Sequence, residues 1–125
     1  MATLAQFSKK QYLNLETFRK SGMGVRTPVW FVQEGETIYV LTVANCGKVK
    51  RIRNNGRVNV VPCKMDGTPV GTWVAANARE IADAELSKKV NRLLDKKYGL
   101  MKKMFSLGSS RQARLDAVLE IKLIE

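Results

Sequence analysis

At 125 residues, with 45% hydrophobic and 26% charged side chains, the chain has the length and balance of one globular domain, spanning 1–125, which excludes disorder and a fibrous repeat. No apolar run approaches the ~20 residues needed to cross a bilayer, and Met1 to Lys10 lacks the hydrophobic stretch and small-residue cleavage site of a secretory signal, so a cytoplasmic protein without membrane attachment is expected. The net charge of +11 calls for an anionic partner or a solubility role, and the complete absence of histidine excludes Ser-His and Cys-His nucleophiles and turns any enzymatic reading towards cofactor chemistry.

Leu13 and Leu15 alternate with polar neighbours from Tyr12 to Phe18, and Ser21, Gly22 and Gly24 close a first strand. Val25 to Val32, rich in β-branched and aromatic residues, predicts a second strand with an edge or bulge at Pro28, which has no amide to donate. After the turn at Glu34-Gly35-Glu36 comes a third strand, Thr37 to Val43. From Gly47 to Asn55 the alternation stops, and the spacing of Val49 and Ile52 predicts a short helix ended by Asn54-Asn55-Gly56. Arg57 to Lys64 reads as a fourth strand, Met65-Asp66-Gly67 as a hairpin turn, and Pro69 to Ile81 as a long fifth strand bent at its start. Asp83 or Ser87 caps a helix carrying Leu86, Val90, Leu93 and Leu94, broken at Tyr98-Gly99 before a second segment, Leu100 to Leu107. Arg111 to Arg114 leads into a last strand, Leu115 to Ile124. Six hairpin-rich strands with short helices point to a mainly β fold, a small closed or half-closed barrel.

The cysteines, Cys46 and Cys63, form no CxxC pair, and with no histidine to join them a zinc site is not expected. Charge is concentrated instead. From Thr37 to Met65 there are six basic residues and no acidic one, with Lys48, Lys50, Arg51 and Arg53 in one short stretch. The start of that helix, Cys46-Gly47-Lys48-Val49, has the makings of an anion site: glycine permits close backbone approach, the first helical N–H groups lack partners, and the positive helix end adds to Lys48. A phosphate there would also come within reach of the Thr42 hydroxyl and Arg26. The roughly 100° step between helical residues scatters Lys50, Arg51 and Arg53, so at least one of them is only solvated.

Three segments taken together, Arg26-Thr27-Pro28-Val29-Trp30-Phe31, Leu41-Thr42-Val43 and Cys46-Gly47-Lys48-Val49-Lys50-Arg51, followed by a strand ending Val-Val-Pro-Cys, resemble the pyridoxamine 5'-phosphate oxidase-related FMN-binding split barrels. "TPVWF", "GKVKRIRNNGRVNVVPC" and "KKYGL" look most like the small branch of deazaflavin-dependent enzymes, with the resemblance running from about Tyr12 to the C-terminus. It implies a six-stranded split barrel, a homodimer with cofactor sites shared between subunits, and hydride transfer to or from a small-molecule substrate. It also implies a cofactor site formed by Arg26, Thr27, Pro28, Val29, Trp30, Leu41, Thr42, Cys46, Gly47, Lys48, Val49 and Arg51. Arg26, Thr27, Thr42, Lys48 and the basic positions after it would line the phosphate and ribityl pocket, with Val29 and Trp30 beside the ring. Two departures matter. Cys46-Gly47-Lys48 stands where pyridoxamine phosphate oxidases carry Ser-Arg-Lys, and the histidine of their late substrate-binding pair is missing, which argues against activity on pyridoxamine phosphate. The cofactor that the resemblance implies is FMN or the 8-hydroxy-5-deazaflavin coenzyme F-420, whose anionic tail suits a broad basic surface.

Blander readings stand beside this one. Trp30 and Trp73 fit a barrel core, and Cys46 fits a small buried thiol. The rival function is nucleic-acid binding by a basic barrel with Phe31, Tyr39 and Trp73 on strands, against which stands the confinement of the basic cluster to one short helix. A cofactor-binding protein without turnover is a third reading.

Overall fold

The computed structural model describes residues 4–43, 46–99 and 116–124. The expected segments 100–107 and 111–114 lie outside the described residues. A 3-10 turn, Leu4–Phe7, precedes β1 (Tyr12–Phe18), β2 (Gly24–Trp30), β3 (Val32–Glu34), β4 (Thr37–Val43), α1 (Gly47–Asn54), β5 (Arg57–Cys63), β6 (Val74–Ile81), α2 (Ala84–Tyr98) and β7 (Asp116–Leu123). Among the described residues all strand pairings are antiparallel, in one sheet of order β2-β1-β5-β6-β7-β4-β3. The two ends of that order, β2 and β3, are separated in the chain by Phe31 alone. The sheet must therefore curl until its edges meet at this residue, and the result is a split barrel.

The second strand is thus two, and the sheet has seven strands where six were expected. The reason lies in the backbone of Phe31, whose hydrogen bonds leave the ladder. Its amide donates to the Tyr98 hydroxyl at 3.1 Å, and its carbonyl accepts from Lys97 Nζ at 2.8 Å. The Phe31 ring turns into the interior, edge-on to Phe7 with 5.9 Å between centroids. Pro28 sits opposite Asn14 on β2, which is an edge strand, as its missing amide requires.

Alternation along each strand sends Leu13, Leu15, Val58, Val60, Ile38, Val40, Leu119 and Ile121 inward, and all eight are fully buried. α1 closes one end of the barrel with Val49 and Ile52. α2 packs outside, burying Val90, Leu94 and Tyr98 against Val32 and Val118. Asp83 caps it by accepting the amides of Glu85 and Leu86, and Gly99 ends it at φ 53°, a conformation that favours glycine.

The fifth strand starts at Val74, five residues later than the sequence suggests. Ahead of it, Val70 donates to Pro62 at 2.8 Å, and both backbone groups of Thr72 are taken by the Gln6 side chain, at 2.9 Å each. A side chain on Gly71 would collide with Gln6 and the Pro62 ring. Pro69 still bridges Cys63, and at Thr72 a side-chain partner replaces the ladder. No described helix is long and apolar enough to cross a membrane.

Candidate functional site

β2 and β4 approach each other across the split without being hydrogen-bonded. At this seam lies an open, mostly apolar groove of about 460 Å³ lined by Tyr12, Pro28, Val29, Trp30, Leu41 and Met65. Pro28, Val29, Trp30 and Leu41 were expected in the cofactor site, Val29 and Trp30 of them beside the ring. Trp30 is held by Tyr98, whose ring stacks on it at 4.4 Å and 10°. The Tyr98 hydroxyl in turn donates to Gln11 O at 2.6 Å while accepting the Phe31 amide, so the last residue of α2 fixes the wall of the groove.

One residue beyond Leu41, the Thr42 hydroxyl meets the Cys46 thiol at 3.7 Å, at the start of α1. Burial pushes the Cys46 thiol up, but the backbone N–H groups of Val49 and Lys48, the Thr42 hydroxyl and the Lys48 charge outweigh it and hold the thiol below its ordinary value. The same groups that favour a thiolate favour a phosphate. Arg51 joins them. It folds back along the helix, so that a methyl group on Gly47 would lie 2.8 Å from its Nη1, and its Nε donates to Thr17 Oγ1 at 2.6 Å. Gly47 therefore leaves room for a guanidinium at the helix start.

The remaining expected residues are placed differently. Arg26 is exposed, pairs with Glu16 across the β1–β2 ladder at 3.1 Å and lies 4.7 Å over the Trp73 ring. Thr27 stands opposite Leu15, half-buried on the inward face. Val49 is fully buried in the core and offers the helix start only its amide. Arg53 forms a two-bond ion pair with Glu80, at 2.8 and 3.0 Å, and Lys50 is exposed, which leaves Arg51 as the member of the basic run turned towards Gly47. Tyr12, Met65, Thr17 and Tyr98 were missed. Tyr98 was legible as a helix breaker beside Gly99 and within the KKYGL segment of the resemblance, but not as the partner of Trp30, which lies 68 positions away.

The family of pyridoxamine 5'-phosphate oxidases matches residues 2–125, nearly the whole chain. The chain belongs to that family. Among solved structures, the haem storage protein HutZ of Vibrio cholerae is similar at 16% identity and a TM-score of 0.72, over 97% of this chain and 87% of that one. An F-420 reductase matches at 13% identity and a TM-score of 0.67, over 100% and 95%. General Stress Protein 26 of Bacillus anthracis matches at 21% and 0.66, over 97% and 85%. At these identities the likeness shows a shared fold. No curated protein matches by sequence.

For a family member, the flavin-sized demands on this site are an apolar slot for a ring and donors for a phosphate. The groove supplies the first and the start of α1 the second, so the residues present fit such a cofactor.

Lys97, which braces the same wall, gives a pH signature. Its stem is exposed, but its ammonium sits 3.6 Å over the Phe31 ring, and burial lowers it to about 8. The unfolded chain then holds the more protons between about pH 8 and the ordinary lysine value of 10.5, so this group's contribution to stability rises across that window. In urea unfolding, the wild-type protein should gain on Lys97→Met as pH rises through the window, and a constant difference would count against a desolvated ammonium.

Proposed function

We propose that this chain is an oxidoreductase that binds FMN or the deazaflavin coenzyme F-420 in the groove between β2 and β4, acts as a homodimer, and moves a hydride to or from a small-molecule substrate. The observation that carries this reading is that one strand, β4, serves both features: Leu41 lines the apolar groove, and the hydroxyl of Thr42, its neighbour on the opposite face of the strand, meets Cys46 at the basic helix start. Val29, Trp30 and Leu41 take the flat ring and exclude water from it. The first amides of α1, with Lys48 and Arg51, take the phosphate, and the Thr42 hydroxyl adds a polar contact beside Cys46. Tyr98 keeps Trp30 from rotating away. When bound, the cofactor supplies the hydride chemistry, and the chain supplies position and charge.

Several features support the remaining parts of the proposal. Met23, in the β1–β2 turn, and Met65 and Val70, in the β5–β6 connection, are 62%, 72% and 42% exposed, separate apolar side chains available to a second copy. The nucleic-acid reading loses its stacking platform, because Phe31 is in the core, Tyr39 packs beneath α2 and Trp73 lies under Arg26. The test is absorbance of concentrated protein titrated separately with FMN and F-420, in parallel with a single-stranded oligonucleotide. Saturable binding of one cofactor at physiological salt supports the proposal. Tight oligonucleotide binding that neither cofactor disturbs would overturn it.

A further inference from the structure

Beyond the ring groove lies a second open cavity of about 460 Å³, and Tyr12 and Met65 line both, forming the wall between them. Its polar lining is one-signed: Lys9, Lys10 and Lys64 surround it, and none of its lining residues is acidic. The carboxylate of Asp66, in the adjoining turn, accepts the Thr68 amide at 2.9 Å, while its charge still acts on Lys64 and on the Cys63 thiol at the cavity. The lysines come from two distant parts of the chain, the segment after the 3-10 turn and the β5–β6 connection. Lys9 also has a φ of 62°, the one left-handed non-glycine residue among those described. A bulky side chain adopts that conformation at a cost, which the surrounding structure must offset. The Lys10 amide, donating to Phe7 O at 3.1 Å, ties this backbone to the barrel.

Resting on the reading of the β2/β4 groove as a ring site, we infer that this second cavity is the substrate site, and that the substrate is a small organic anion whose carboxylate or phosphate is held by Lys9, Lys10 and Lys64. The anion would be anchored there with its uncharged part reaching past Tyr12 and Met65 towards the ring. Two exposed lysines, Lys9 and Lys64, and the half-buried Lys10, beside the apolar surfaces of Tyr12 and Val70, suit a molecule with a charged end and a flat or aliphatic body. The phosphate of the cofactor is accounted for separately, at α1, so the second cluster has no role in that contact.

The probe is isophthalate, with its uncharged diamide as the comparison, titrated calorimetrically into both cofactor-free and cofactor-loaded protein at physiological ionic strength. Isophthalate should bind saturably and at least about tenfold more tightly than the diamide. The triple variant Lys9→Gln, Lys10→Gln, Lys64→Gln should lose about tenfold, and a variant of equal charge change on exposed sites elsewhere, Lys20→Gln, Lys88→Gln, Lys96→Gln, less than about threefold, because only screened long-range attraction is removed there. FMN and F-420 affinities should be the same in wild type and the triple variant. No saturable isophthalate binding, equal binding of the diamide, or equal losses in the two triple variants would overturn the inference. Loss of F-420 affinity with FMN affinity retained would assign these lysines to the cofactor's anionic tail and would also overturn it. Failure of both cofactors to bind wild-type protein would instead defeat the functional proposal, and the cofactor-free titration would still report on the anion site.

Discussion

Replacing Lys48 by alanine is expected to weaken cofactor binding by about ten- to a hundredfold, the equivalent of one charge-assisted hydrogen bond to phosphate worth roughly 1.5–3 kcal/mol. Lys48 is half-buried in the first turn of α1, where its charge already acts on Cys46 alongside the backbone amides of Lys48 and Val49. Its removal leaves Val49 and Ile52, which anchor the helix in the core, in place, so the fold should survive. Lys88→Ala is the matched control, since Lys88 is exposed on α2 and its ion-pair partner among the described residues is Glu85, at 3.9 Å. The measurement is a titration of FMN and of F-420 into each variant at physiological ionic strength, with circular dichroism to check folding. Equal affinities for the two variants would mean that the basic run is a solvated face.

Tyr98 carries the second large effect, on stability. Tyr98→Phe should cost about 1–3 kcal/mol, because the Phe31 amide and the Gln11 carbonyl lose the hydroxyl that joins them. Tyr98→Ala should cost about 3–5 kcal/mol, as for other large aromatic truncations, since it also removes the ring stacked on Trp30 and opens a cavity beneath α2. Urea unfolding at neutral pH measures both, with Tyr39→Phe, beneath the same helix, expected to cost less than either. A Tyr98→Phe variant within about 0.5 kcal/mol of wild type would show that the barrel closes at Phe31 without this hydroxyl.

Local pattern made most of the elements legible. Both described helices fall within a residue or so of their expected ends, because Gly47, Asp83 and Gly99 are signals read by the backbone itself. What escaped the sequence depends on groups far apart in the chain. The break at Phe31 is made by Lys97 and Tyr98, and the late start of β6 by Gln6, none of which alters the local alternation. The site shows the same division. Gly47 and Lys48 were legible as the start of a helix, and Trp30, through the resemblance, as a residue of the cofactor site. The outward turn of Arg26 towards Glu16 and Trp73 depends on strand register, and the fold-back of Arg51 onto Gly47 on a hydroxyl in β1. Tyr12 and Met65 reach the groove only because the barrel brings β1 and the β5–β6 connection to its mouth.

The central claim is that one cofactor spans the β2/β4 groove and the start of α1. Its most direct test is a nitrogen-15 amide spectrum of the protein titrated with FMN. The account predicts that the largest shifts fall together on Leu41, Thr42, Lys48 and Val49 and on the Trp30 indole, while the exposed face of α2 around Lys88 and Lys96 stays still. Shifts confined to that face of α2, or to the outer surface around Arg79 and Glu120, would contradict it.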